Sequence, residues 1–109
     1  MTKRQAKQVI ERMVDKLARE YRPERVVLFG SYAYGTPDEE SDIDLLIIKN
    51  TPEAFIDRWE TVRRILSDPK RRTPLETLIL TPEEVSQRLE IGDQFIMEIL
   101  EKGKVLYAA

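Results

Sequence analysis

Between Arg25 and Ile48 the chain reads RVVLFGSYAYGTPDEESDIDLLII, two apolar runs separated by a turn that opens at Gly30 and a polar loop. Arg25-Val26-Val27-Leu28-Phe29 is a short β-branched and aromatic run that stops abruptly at Gly30, the mark of a buried strand. Asp42-Ile43-Asp44-Leu45-Leu46-Ile47-Ile48 is a second strand, and the polar loop Thr36–Ser41 leads into it. In a strand, residues two apart share a face, so Asp42 and Asp44 present their carboxylates side by side while Ile43 and Leu45 turn the other way.

Outward from this core the pattern turns helical. From Thr2 to Tyr21 the residues Ala6, Val9, Ile10, Met13, Val14, Leu17 and Tyr21 recur at three- and four-residue steps, which predicts an amphipathic helix stopped by Pro23. Thr51-Pro52 reads as a helix start, with Phe55, Ile56, Trp59, Val62 and Leu66 on one face and an end near Asp68-Pro69. The basic loop Lys70–Pro74 then feeds a third strand, Leu75–Leu80. Thr81-Pro82-Glu83-Glu84 opens a helix running to about Leu89, with Glu84 at the capping-box position. Gly92-Asp93 restarts the chain into a last helix carrying Phe95, Ile96, Ile99 and Leu100. Gly103 closes it, and Val105-Leu106-Tyr107 reads as a short edge strand. The expected order is α-β-β-α-β-α-α, an α/β (α+β) domain with a small mixed β-sheet flanked by helices. Phe55, Trp59, Phe95 and the helical methionines are expected in the core.

Composition narrows the chemistry. The chain has 109 residues, 18 Lys plus Arg, 20 Asp plus Glu, and neither Cys nor His. One domain spanning 1–109 follows, and 41% hydrophobic residues build its core without staples. Thiol nucleophiles, histidine triads and Cys/His zinc sites lack their parts. A net charge of -2 gives no basic field for direct nucleic-acid binding. No apolar run reaches the roughly 20 residues that span a bilayer, and the expected location is cytoplasmic.

Two ionised carboxylates about 4 Å apart repel by roughly 4 kcal/mol at an effective dielectric near 20, so an apolar strand carries Asp42 and Asp44 together only with compensation. With no His or Cys available, a hard divalent cation on oxygen ligands, Mg²⁺ or Mn²⁺, is the natural partner, and Mg²⁺ completes its shell with water and substrate phosphates. The alternative is a solvated strand start whose charges blunt an edge. Gly30-Ser31, where a strand ends in a sharp turn, places backbone N–H groups and a hydroxyl where a phosphate can sit. Glu76, the only acidic residue of the third strand, is the candidate third carboxylate of a two-metal arrangement. Its alternative is a solvated charge paired with Arg71 or Arg72. Tyr32 and Tyr34 either pack the turn or border the nucleotide.

Gly30-Ser31-Tyr32-Ala33-Tyr34-Gly35 through Ser41-Asp42-Ile43-Asp44-Leu45 resembles the GSxxxGxxxxxSDxDL signature of minimal nucleotidyltransferase domains, in the DNA polymerase beta-like nucleotidyltransferase superfamily. The resemblance extends over nearly the whole chain. It implies Gly30 and Ser31 on a nucleoside triphosphate, Asp42 and Asp44 binding Mg²⁺ and nucleotide, and Glu76 as third metal ligand and general base. The chain departs from the family here, where Asp is usual; Glu is one methylene longer, which alters its reach. Similarity to the antitoxin of HEPN-MNT toxin–antitoxin pairs implies AMP transfer from ATP to a tyrosine of a HEPN ribonuclease partner. Two other readings remain open, an antitoxin that neutralises such a partner by binding alone and an NTP-sensing module.

Overall fold

The computed structural model describes residues 1–109. Strands β1 (Arg25–Phe29), β2 (Ile43–Ile48), β3 (Leu75–Leu80) and β4 (Lys104–Ala108) form one mixed sheet in the order β3-β2-β1-β4. Around it lie α1 (Lys3–Glu20), α2 (Ser31–Tyr34), α3 (Phe55–Ile65), α4 (Pro82–Glu90) and α5 (Gln94–Lys102). No helix is long and apolar enough to cross a membrane.

β1 runs antiparallel to both β2 and β4, whereas β2 and β3 are parallel. A parallel pair cannot be joined by a tight turn, so the chain must cross over between them, and α3 is that crossover. Alternation along each strand then sorts the side chains. Val26, Leu28, Ile43, Leu45, Ile47 and Ile79 pack under α1 and α3, with Leu17 and Val62 among their partners. Val27, Leu46, Ile48 and Leu80 pack under α4 and α5, against Val85, Ile96 and Ile99.

Local signals account for most boundaries. At the start of α1, Thr2 Oγ1 accepts the Gln5 N–H at 3.1 Å and the Gln5 side chain accepts the Thr2 N–H at 2.9 Å, a reciprocal capping box. Thr81 and Glu84 repeat the device at α4. Thr51-Pro52 differs from expectation. The Thr51 hydroxyl accepts the Glu53 N–H at 3.2 Å, which closes a local turn, and α3 begins three residues later at Phe55 with no side-chain cap. The Gly30–Gly35 segment is a full helical turn, α2, and β4 closes the sheet edge.

The expected core places of Phe55, Trp59 and Phe95 are corrected by the structure, and Ile56, on the same predicted face, is exposed as well. Phe55 is 54% exposed, Ile56 59% and Phe95 55%. α3 turns Arg58, Val62 and Leu66 inward, leaving its first turn uncovered, while Arg63 sits over the Trp59 ring at 5.0 Å. Met13 is buried as expected, and Met97 is exposed.

Arg58 is the one buried charged residue. Its Nε donates to the Glu53 carbonyl at 2.8 Å and its Nη1 to Glu84 Oε1 at 2.6 Å. The same Glu84 oxygen accepts the Thr81 N–H at 2.8 Å, so one ion pair ties α3 to the junction of β3 and α4. The Arg58 guanidinium, ahead of the helix-cap bonds, holds the Glu84 carboxyl below its ordinary range. Arg58→Ala is expected to cost about 2 kcal/mol in urea unfolding at pH 7, since it strands a carboxylate that is only partly screened by solvent. Because the Glu84 pKa is depressed in the fold, this contribution is present above the unfolded carboxylate pKa and fades as pH falls through the folded value. The gap between wild type and variant should therefore narrow in acid.

Candidate active site

β1 ends where Gly30 adopts φ 73° and ψ -160°, a left-handed conformation that favours glycine. A Cβ at this position would land on the Asp44 carboxylate, so the missing side chain also lets that carboxylate lie against the turn. The Gly30 carbonyl accepts the N–H groups of Ala33 and Tyr34, each at 3.0 Å, which starts α2 at Ser31. The first N–H groups of a helix have no acceptor inside it, so this turn presents backbone donors beside the half-buried Ser31. Tyr32 and Ala33 pack toward the α1 side, and Tyr34 is exposed.

The loop after α2 is braced rather than loose. Asp38 Oδ1 accepts the Glu40 N–H at 2.8 Å, and the Asp38 N–H reaches Ser41 Oγ at 2.9 Å. Asp38, read from sequence as part of a solubilising run, thus shapes the entry to β2.

Asp44 stands in register with Phe29 on β1 and with Glu76 on β3. By alternation it shares the α4/α5 face with Leu46 and Ile48, and Glu76 shares that face with Leu78 and Leu80. Glu76, Asp44 and Phe29 therefore form one row across three strands, each about 4.8 Å from the next. Asp42 lies just before the strand and is half-buried. None of the three carboxylates is in an ion pair. Arg71 is committed elsewhere, donating to the carbonyls of Leu66 at 2.6 Å and Thr73 at 3.2 Å, so the basic loop leaves Glu76 un-neutralised.

The consequence appears at Asp44. Burial, then the charges of Asp42 and Glu76, push its pKa up to about 6. Three negative groups within electrostatic range, with no cation of the protein among them, form a site that favours an external cation. No three carboxylates are drawn close enough together to enclose an ion on protein ligands alone. That fits Mg²⁺, which takes one or two carboxylates and leaves the rest of its shell to water and phosphate.

The comparisons with known proteins bear on this geometry. The family model described as polymerase beta, nucleotidyltransferase matches residues 11–109. The chain belongs to this nucleotidyltransferase family. It is 38% identical over 85 residues to the Methanocaldococcus jannaschii protein named "Putative protein adenylyltransferase MJ1305", covering 75% of this chain and 56% of that protein. It is 31% identical over 100 residues to "Putative protein adenylyltransferase MJ0604" of the same organism, covering 90% of this chain and 94% of that one. The nucleotidyltransferase chain thus spans little more than half of the first relative and nearly all of the second. Among solved structures, a Sulfolobus solfataricus protein described as a nucleotidyltransferase superposes with TM-score 0.63 at 20% identity, covering 93% of this chain and 78% of that one. A toxin–antitoxin structure with AMP-PNP superposes with TM-score 0.58 at 24% identity, covering 91% and 73%. Both share the nucleotidyltransferase fold.

Sequence reasoning missed Phe29 as the register partner of Asp44, and the contact of Phe29 with Phe95. Their rings meet edge to face with centroids 5.8 Å apart.

Two measurements follow. Gly30→Ala is expected to lower Tm by several degrees, because it combines positive-φ strain with displacement of Asp44. Asp44→Asn is expected to raise the Tm of the metal-free protein by a few degrees at pH 7.5. The wild-type carboxyl has a raised pKa in the fold, so its relative stability is fully present below about pH 4 and is lost as pH rises through 6. The two melting curves should converge below pH 4.

Proposed function

We propose that this chain is a Mg²⁺-dependent nucleotidyltransferase, with Mn²⁺ an acceptable substitute, that moves a nucleoside monophosphate from a nucleoside triphosphate to a hydroxyl of a protein partner. In the sharper form of the proposal AMP passes from ATP to a tyrosine of a HEPN-type ribonuclease toxin, which the chain thereby neutralises as an antitoxin. The observation that carries the reading is the row of Asp44 and Glu76 beside the Gly30-Ser31 turn, with Asp42 at its edge. The names of the two Methanocaldococcus relatives and the fold shared with a toxin–antitoxin structure holding AMP-PNP support it.

In this reading the turn at Gly30 and Ser31 binds the triphosphate through N–H groups and the Ser31 hydroxyl. Asp42 and Asp44, with Glu76 beside them, would hold the metal. When bound, Mg²⁺ supplies charge neutralisation for the triphosphate and for the pyrophosphate that leaves. Glu76, exposed at the rim, orients the acceptor hydroxyl and takes its proton. The acceptor oxygen bonds to the α-phosphorus, the bond from that phosphorus to the bridging oxygen of the leaving group breaks, and pyrophosphate departs with both electrons of that bond.

One observation favours a second reading, inhibition by docking alone. The third carboxylate, Glu76, is Glu where the resembled family usually has Asp.

The test is to incubate the protein with α-labelled ATP, Mg²⁺ and its co-expressed partner. Label on the partner is expected, falling to background in the Asp42→Asn, Asp44→Asn double variant. Glu76→Gln should slow transfer on the order of 10²-fold or more, the contribution of a general base, with Glu76→Asp retaining activity. A partner that is inhibited without acquiring label would establish the docking reading instead.

A further inference from the structure

The row Glu76–Asp44–Phe29 does not end at β1. Phe95, in the first turn of α5, packs against Phe29 in a T-shaped contact, with ring planes at 83°. Phe95 is 55% exposed, while Ile96 and Ile99 make the contact of α5 with the sheet, so the fold does not need the Phe95 ring for its core. Its position is nonetheless well held. Asp93 Oδ1 accepts the N–H of Phe95 at 3.0 Å and that of Ile96 at 3.1 Å, and the other oxygen of Asp93 is bound by Arg88 at 3.1 Å. An edge-to-face partner further restricts the ring. The result is a held aromatic surface open to solvent, one ring contact away from Phe29, the register partner of Asp44. Phe29, Asp44 and α5 share one face of the sheet, so a nucleoside extending from a phosphate held at Asp44 and Gly30 has this ring on its own side.

We infer that Phe95 is the nucleobase-binding residue of this site, its open face stacking on the base of the bound nucleoside triphosphate, with Phe29 the positioning residue that holds the ring. The inference rests on the reading of the Gly30 turn and the carboxylates as a triphosphate site. Recognition by a ring face reads stacking area rather than a hydrogen-bonding pattern, so purine triphosphates bind more tightly than pyrimidine ones.

Calorimetric titration in Mg²⁺ with ATP and, separately, with tripolyphosphate tests the inference and its premise apart. Phe95→Ala is expected to weaken ATP binding roughly tenfold, within the range of base stacking on an aromatic ring, and to leave tripolyphosphate binding unchanged. Phe95→Trp should retain ATP affinity. Phe55→Ala, which removes an exposed ring from α3 outside this row, should match wild type. If Phe95→Ala binds ATP as wild type does, or loses ATP and tripolyphosphate in parallel, the base-stacking role is overturned while the phosphate site stands. If wild type binds neither ligand, the triphosphate site itself is refuted, and the inference with it. Circular dichroism of each variant separates loss of binding from loss of fold, and Phe95→Leu, which keeps apolar bulk but no ring, should bind ATP nearly as weakly as Phe95→Ala.

Discussion

The site depends on one costly constraint, an ionisable carboxylate held partly buried beside two others. Asp44 is partly buried beside Asp42 and Glu76, and its pKa of about 6 records how poorly the metal-free fold tolerates its charge. Such an arrangement is a standing cost that a hydrophobic residue would remove. The fold holds it in place through backbone geometry. Gly30 clears space for the carboxylate, the β1–β2 register sets Asp44 beside Phe29, and the β2–β3 register sets it beside Glu76.

The opposite end of the sheet bears a complementary constraint. Glu76 reaches Asp44 only because β3 pairs parallel with β2, and parallel pairing requires the α3 crossover. Arg58 fastens that crossover to Glu53, to Glu84 and so to the start of α4. A single buried guanidinium thus stabilises the connection on which the register of the carboxylates depends. It makes no contact with any of them, so its removal is a change in stability rather than in site chemistry.

Much of this was legible in the sequence, for local reasons. The α1 stripe follows a three- and four-residue apolar repeat, whereas the Thr81-Pro82-Glu83-Glu84 start and the restart at Asp93 are set by side chains that bond to backbone within three residues, and each appears in the structure. Thr51-Pro52 misled because a threonine hydroxyl can close a turn as readily as cap a helix, and the choice here went to the Glu53 N–H. Phe55, Ile56, Trp59 and Phe95 misled for a different reason. Periodicity shows that apolar residues share a helix face, and says nothing about how far the neighbouring element extends beneath it.

Residue type and a two-residue period are enough to establish that Asp42 and Asp44 flank a strand start, that a glycine-serine turn precedes them, and that no thiol or imidazole competes for the chemistry. It took the packed sheet to show that Glu76 is the register partner of Asp44, that Arg71 is spent on carbonyls and leaves Glu76 unpaired, and that Phe95 packs against Phe29 of the same row. Asp44 and Glu76 lie 32 positions apart in the chain, and Phe29 and Phe95 lie 66 apart. Their contact follows from strand order and register, which no local pattern of side chains encodes.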